Sequence, residues 1–221
     1  MMTTEPPAYS SSLVNIVTSA PPVGACRSDL LDRLRQLFNF MLASYFRVMF
    51  LRLDPRFPAE RKYPIDNGIF TNFLESYRRH LVRKNLPSCH LWVREHDSTT
   101  VPLAPNHHYH LALVIAMPPE GSDHEPTKAD LFGLADRLWS INLGIELNIQ
   151  NGLVDHCDRP TRRFPLGNGV IVDRGKRQWP ERVEYCYEWG TYLAKLESKE
   201  TLPPWIRSMG SSRLPHQGHG N

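Results

Sequence analysis

Apolar residues along this chain follow two spacings, one typical of helices and one typical of strands. Recurrence every three or four positions predicts helices at about 28–42, 67–84, 128–143 and 181–199. Short apolar runs predict strands at about 46–54, 89–95, 109–117 and 152–156. Residues 157–180 show neither spacing, so we expect them to be irregular.

The order of these elements, α-β-α-β-β-α-β-loop-α, predicts an α+β fold with an antiparallel central sheet and helices packed on it. The strand at 46–54 is apolar on both faces, so we expect it in the middle of the sheet. Residues 28–202 then form a single domain. The Pro-, Ser- and Thr-rich residues 1–27 and the Pro-, Ser-, Gly- and His-containing residues 203–221 are expected to be disordered.

Composition narrows the class of protein only a little. The chain has 221 residues, of which 41% are hydrophobic and 22% are charged, as in an ordinary globular protein. It contains neither a secretory pattern nor an apolar segment of roughly 20 residues, so we expect a cytoplasmic protein without membrane partners. The four cysteines form no CxxC pair, which favours free thiols over a structural zinc site.

Positive charge is concentrated in one stretch of the sequence. The net charge is only +3, but residues 159–182 carry seven Lys or Arg residues against Asp173 and Glu181. Such a basic strip could contact phosphates. A solvated basic loop is the alternative interpretation.

Two histidines begin the strand at 109–117 and could bind a metal. His108 and His110 are two residues apart, so their side chains project from the same face of a strand. Glu95 ends the preceding strand, and a hairpin would place it opposite His108. Two imidazoles and one carboxylate leave coordination positions open and suit Mg²⁺ or Mn²⁺ acting on a phosphate. Asp54, at the end of the first strand, is a further candidate ligand.

Each of these residues also has a structural interpretation that the sequence leaves open. The histidines could be hydrogen-bonded or hydrated at a strand end, Glu95 could form a surface salt bridge, and Asp54 could be a turn residue before a proline.

The last predicted helix carries a possible nucleophile. Tyr192 and Lys195 are three residues apart and share a helix face. A lysine beside a phenol can favour the phenolate or hold a phosphate. Tyr185 lies two turns earlier on nearly the same side, and a tyrosine stripe at this spacing is also typical of core packing.

These motifs occur in an order that resembles a known family. The segments are Arg52-Leu53-Asp54-Pro55, Trp92-Val93-Arg94-Glu95, His108-Tyr109-His110 and Tyr192-Leu193-Ala194-Lys195. Together they resemble the inovirus-type gene 2 proteins, which initiate replication of filamentous phages, and more broadly the HUH endonucleases. The resemblance covers about 46–199. It implies a Rep-like, ferredoxin-like sandwich in which His108, His110 and Glu95 hold a divalent metal.

The same resemblance implies an activity. Tyr192, helped by Lys195, would cut one DNA strand and keep its 5′ phosphate, which is the reaction that begins rolling-circle replication. The substrate would be single-stranded or locally melted DNA at an origin in a bacterial cytoplasm, with host helicase and polymerase as further partners. The implied phosphate contacts are Arg162, Arg163, Arg174, Lys176 and Arg177, with Trp179 as either a base-stacking residue or a hydrophobic plug.

Two other functions fit the same sequence. The chain could be a prophage remnant of the same fold that binds DNA without cutting it. Alternatively, it could be a metallohydrolase of small phosphoesters that uses the histidines, Glu95 and Asp54 and needs no tyrosine.

Overall fold

The computed structural model describes residues 27–58, 61, 63–64, 66–97, 106–146, 153–195 and 207–214. The expected N-terminal arm therefore lies outside the described residues, apart from Arg27. The helices are α1 (Ser28–Ser44), α2 (Gly68–Arg83), α3 (Lys128–Leu143) and α4 (Trp179–Gly190). The strands are β1 (Arg47–Pro55), β2 (Ser88–Asp97), β3 (Asn106–Ala116), β4 (Val154–Asp155), β5 (Val170–Asp173) and β6 (Met209–Ser211).

These elements form an α+β fold with a six-stranded antiparallel sheet, which confirms the predicted class. The strand order is β4-β1-β3-β2-β6. Strands β4 and β5 both pair with β1 on the side away from β3, β5 at the start of β1 and β4 at its end. All nine residues of β1 are buried, so its predicted central position is confirmed.

The two faces of the sheet are covered by different helices. Val48 and Phe50 of β1 join the apolar cluster formed with α1 and α4. Met49, Leu51 and Leu53, which point the other way, join the cluster formed with α2 and α3. This division follows from the two-residue period of a strand, and it gives the sheet an apolar surface on both sides. Among the described helices, none is both long enough and apolar enough to cross a membrane.

Two predictions for the C-terminal half are wrong. The stretch expected to be irregular contains β5, whose β-branched residues pair with β1. The last helix ends at Gly190, not at 199, and continues as a 3-10 turn over Thr191–Ala194. A methyl group at Gly190 would lie 2.7 Å from a methyl of Leu34, so α4 packs tightly on α1 at the residue where it ends.

The tail is also ordered in part, contrary to expectation. Met209–Ser211 form β6, which pairs with Trp92 and its neighbours in β2. Gly210 allows this approach, because a Cβ there would lie 2.6 Å from Trp92 Nε1. Ser212 Oγ then contacts His90 Nδ1 at 2.8 Å, so the tail is held by a side chain as well as by backbone. No apolar run marks this strand in the sequence.

Candidate metal centre and active site

The three predicted metal ligands come from one hairpin. Strands β2 and β3 pair so that Glu95 lies opposite His108 and Val93 lies opposite His110. Residues opposite one another in an antiparallel pair share a face of the sheet, and so do residues two apart on one strand. Val93 packs in the cluster under α1 and α4, so the two histidines and Glu95 face that layer. The predicted hairpin and the position of Glu95 within it are confirmed.

The donor atoms of these residues converge. His110 Nε2 lies 3.0 Å from Glu95 Oε2, and His108 Nε2 lies 3.6 Å from the same oxygen. The two Nε2 atoms are 3.2 Å apart. Both His110 and Glu95 are buried, and His108 is partly exposed, so the group is open on one side only.

This spacing fits a bound cation. Ligands about 2.1 Å from Mg²⁺ and at right angles to one another would be about 3.0 Å apart. The observed separations of 3.0, 3.2 and 3.6 Å are close to that value. Glu95, His108 and His110 could therefore hold a metal ion with their present side-chain positions.

Asp54, which the sequence left open as a further metal ligand, lies outside the group of three converging donors. Its Oδ2 lies 2.8 Å from Nδ1 of His110, on the far side of the ring from Nε2. Asp54 is not among the residues whose donor atoms converge on the cluster. It orients the His110 ring and fixes the tautomer that leaves Nε2 free to bind a metal, a role typical of carboxylates behind metal-bound histidines.

Arg52 holds Asp54 in place and was not recognised from the sequence as part of this site. Its guanidinium contacts both carboxylate oxygens, at 3.1 and 2.6 Å. Burial opposes ionisation of Asp54, but the charge of Arg52 and the hydrogen bond to His110 outweigh it, so the pKa of Asp54 lies well below its ordinary value. The sequence signal that could have identified Arg52 is a charged residue inside an otherwise apolar strand.

The tyrosine predicted as nucleophile lies beside the metal cluster. The ring of Tyr192 is 5.1 Å from the His110 ring, edge to face. The Arg52 guanidinium lies 4.0 Å from the Tyr192 ring centre, over its face, and Lys195 Nζ lies 4.5 Å from that centre. Tyr192 remains 36% exposed, so a ligand can reach it.

The electrostatics of Tyr192 differ from the expectation that Lys195 activates it. Burial raises the pKa of the phenol, the charge of Arg52 opposes that increase, and the carboxylates of Glu95 and Asp54 add to it. Asp54 and Glu95 are both buried beside the cluster, and Arg52 pairs with Asp54, so the charge of Glu95 favours binding of a further positive charge there.

The other tyrosines of α4 are tied elsewhere. The Tyr185 hydroxyl donates to the carbonyl of Gly167 at 3.2 Å, and the Tyr187 hydroxyl donates to the carbonyl of Leu31 at 3.4 Å. Both rings pack in or against the cluster under α1 and α4, so both have structural roles.

The residues predicted to contact DNA do not form one surface. Arg163 lies near Tyr192 in the lining of a cleft and pairs with Glu188, while Arg162 is exposed beside it and does not line that cleft. Arg174, Lys176, Arg177 and Trp179 follow β5, at the end of β1 where Arg47 pairs with Asp173. Asp54 is at the other end of β1, seven residues and roughly 23 Å away along the strand.

Two cations of the second group, Arg174 and Lys176, have partners within the chain. The Arg174 guanidinium lies over the Phe46 ring, and Lys176 pairs with Glu120 at 2.8 Å. Trp179 packs against the cluster under α1 and α4, which agrees with its interpretation as a hydrophobic plug. The predicted DNA contacts therefore lie in two groups, one near Tyr192 and one at the opposite end of β1.

No model of a protein family matches this chain, and no curated protein matches it.

Proposed function

We propose that this protein is a divalent-metal-dependent enzyme that nicks and rejoins single-stranded DNA through a covalent bond to Tyr192. The observation that carries the proposal is the position of Tyr192, whose ring lies 5.1 Å from His110 and so beside three converging metal donors. An exposed phenol next to a site that can hold a cation is an arrangement suited to attack on a phosphodiester.

The fold supports the more specific proposal of an HUH-type, Rep-like domain. Adjacent strands of an antiparallel sheet carry the candidate ligands, and the segment after the last long helix carries the tyrosine across the same face. This is the arrangement implied by the resemblance to inovirus-type gene 2 proteins. Under this proposal the chain initiates rolling-circle replication of a phage or prophage in a bacterial cytoplasm.

The proposed reaction begins with attack of the Tyr192 oxygen on phosphorus. The bond from phosphorus to the 3′ oxygen breaks, and its electron pair leaves with that oxygen, which takes up a proton from solvent to become a 3′ hydroxyl. The phenol proton passes to solvent. Mg²⁺ or Mn²⁺ bound by His108, His110 and Glu95 would supply polarisation of the phosphate. The 5′-phosphotyrosine ester keeps the energy of the broken bond, so a 3′ hydroxyl can later reverse the step.

The chain's own residues would orient the reacting groups. Asp54 fixes the His110 ring through Nδ1, and the same carboxylate fixes Arg52, which lies on the Tyr192 ring. Tyr192 and His110 are thus held relative to one another by a single buried ion pair. Positioning of this kind is a main contribution of proteins to phosphoryl transfer.

The substrate in this proposal is single-stranded or locally melted DNA. Tyr192 belongs to a short turn packed on the sheet and on α1, so it cannot extend into a stacked duplex. The free 3′ hydroxyl left by the cut is a primer that a polymerase can extend, and a helicase would supply further single strand.

Covalent trapping tests the proposal. We expect the purified protein with Mn²⁺ and a labelled random pool of single strands to give a band that resists denaturant. Tyr192→Phe should abolish it, since the change removes only the hydroxyl, whereas Tyr185→Phe and Tyr187→Phe should retain it. Absence of any adduct from the unaltered protein, under conditions where Mn²⁺ binding is verified, would reject the proposal.

The two alternative functions make different predictions in the same experiment. A DNA-binding remnant would retain the strands without a covalent band. A hydrolase of small phosphoesters would act on a model phosphodiester equally well with Tyr192→Phe. That second function is disfavoured because Asp54, which would be its fourth ligand, is engaged by Arg52 and by the far side of His110.

A further inference from the structure

A cleft of about 900 Å³ opens beside Tyr192. One wall is the chain from Val154 to Phe164, and the other is the chain from Glu188 to Lys195. Among the described residues, Tyr192 and Lys195 line the cleft, whereas the three metal donors do not. The cleft therefore borders the proposed nucleophile without including the metal donors. Its volume is near the upper end of the range for ligand sites, roughly 300–1,000 Å³.

The charges in the cleft suit a phosphate-bearing ligand. Five cationic side chains line it, against three carboxylates. Arg56 pairs with Asp155 at 3.4 Å, Arg163 pairs with Glu188 at 2.5 Å, and Asp158 pairs with Lys128 outside the cleft. Within the described part of the chain, Arg159 and Lys195 form no ion pair. These two cations are thus available to a bound anion.

The cleft also has an aromatic wall. Phe164 stacks on Trp189, with ring centres 4.9 Å apart, and both residues contribute to the lining. Cations combined with aromatic surface are the features by which proteins hold single-stranded nucleic acid without reading its sequence.

We propose that this cleft binds the nucleotides on the 3′ side of the nick, which are the nucleotides that remain attached to Tyr192 through their 5′ phosphate. The inference rests on the proposed function. In an in-line displacement the attacking and leaving oxygens lie on opposite sides of phosphorus. The departing 3′ oxygen and its strand therefore lie away from the tyrosine hydroxyl, while the segment bearing Tyr192 forms one wall of the cleft.

Binding of this strand in the cleft would also help the protein to rejoin the cut DNA. After the cut, the covalently attached strand would stay seated on Arg159 and Lys195, and the phosphotyrosine would remain aligned for attack by a 3′ hydroxyl. The strand that ends in the 3′ hydroxyl would bind outside the cleft and could leave to be extended.

Binding of two short probes tests the inference without requiring cleavage. The first is a 5′-phosphorylated tetrathymidylate with a fluorophore at its 3′ end, and the second is a tetrathymidylate with a free 3′ hydroxyl and a fluorophore at its 5′ end. Fluorescence anisotropy at low salt would measure both affinities in the unaltered protein, in Arg159→Glu and in Arg79→Glu. The last is a matched control, because Arg79 is an exposed arginine of α2 that does not line the cleft.

We expect Arg159→Glu to weaken binding of the 5′-phosphorylated probe at least tenfold and Arg79→Glu to weaken it less than twofold. Neither change should alter binding of the 3′-hydroxyl probe by more than twofold. Equal losses from both substitutions, a loss confined to the 3′-hydroxyl probe, or no binding of the phosphorylated probe by the unaltered protein would each overturn the inference.

The trapping experiment separates this inference from the proposed function. If the Tyr192 adduct forms and Arg159→Glu leaves binding of the phosphorylated probe unchanged, the cleft assignment alone is wrong. If no adduct forms, the nicking function is rejected, and the assignment of the cleft to an attached strand is rejected with it.

Discussion

Asp54→Asn tests the arrangement behind the metal cluster most directly. The substitution keeps the size of the side chain and an oxygen that His110 Nδ1 can still donate to, but it removes the negative charge. In the native protein that charge is shared between His110 at 2.8 Å and Arg52 at 2.6 Å. Without it, the His110 ring is held less firmly and its Nε2 is a weaker donor to a metal.

The expected loss can be estimated from comparable sites. Removing the group that orients a metal-bound histidine lowers metal affinity by about 10- to 100-fold. This corresponds to about 1.4 to 2.8 kcal/mol of binding free energy. The substitution also leaves Arg52 buried without an opposite charge, which costs up to about 3–5 kcal/mol of stability. Stabilities of about 5–15 kcal/mol are usual for domains, so a weakened but folded protein is expected.

Calorimetric titration with Mn²⁺ measures the first effect, and urea unfolding measures the second. Asp136→Asn is a matched control, because Asp136 also accepts from a histidine, His156 at 3.0 Å, but away from the cluster. We expect its Mn²⁺ affinity to stay within twofold of the unaltered protein. Glu95→Gln, which changes a donor of the cluster itself, should lose more affinity than Asp54→Asn.

Two results would refute this reasoning. Unchanged Mn²⁺ affinity in a folded Asp54→Asn protein would show that the carboxylate does not support His110. A loss as large as that of His110→Ala would show that Asp54 is itself a ligand, which is the role that the sequence left open.

Three further predictions concern other parts of the molecule. Burial, with two nearby arginines, lowers the pKa of His90 to about 4. Between pH 6.5 and 4 only the unfolded chain takes up a proton on this histidine, so the free energy of unfolding should fall by about 3 kcal/mol over that range. Gly210→Ala should destabilise by about 1–3 kcal/mol in urea unfolding, because the methyl meets the Trp92 ring at 2.6 Å. Arg52→Lys should slow adduct formation up to roughly thirtyfold, from loss of about 2 kcal/mol of stacking on Tyr192.

Each of these has a control. His90→Gln should flatten the fall in stability over the same pH range, and an unchanged slope would exclude His90 as its source. Gly133→Ala places a methyl in open space on a helix and should stabilise by about 0.5–1 kcal/mol. An equal cost at both glycines would contradict the contact with the Trp92 ring. An unaltered rate for Arg52→Lys would show that stacking does not position the tyrosine.

Elements with a local pattern could be predicted from the amino-acid sequence alone. The helix at 128–143 was predicted with its observed bounds, and α1, α2 and the long strands were predicted to within a few residues. The side-by-side position of His108 and His110 follows from the two-residue period of a strand, and that of Glu95 follows from the hairpin. These features depend on residues close together in the chain, so spacing alone predicts them.

Strands β5 and β6 and the end of the last helix were not predicted correctly. Strand β6 is held by Gly210 against Trp92 and by Ser212 against His90, contacts between distant parts of the chain that leave no periodic pattern. The 3-10 turn that carries Tyr192 has nearly the same apolar spacing as an α-helix, so periodicity could not distinguish them.

The assembly of the candidate site depends on contacts that residue spacing does not predict. Strand β1 packs beside β3, and the turn that follows α4 lies over both strands. Arg52 of β1 therefore lies on the Tyr192 ring, and Asp54 of β1 contacts the Nδ1 side of His110 instead of joining Glu95 and the histidines as a metal donor. The basic strip is divided between the two ends of β1 because β5 runs antiparallel to that strand. Packing between elements far apart in sequence fixes these positions, and residue spacing carries no record of that packing.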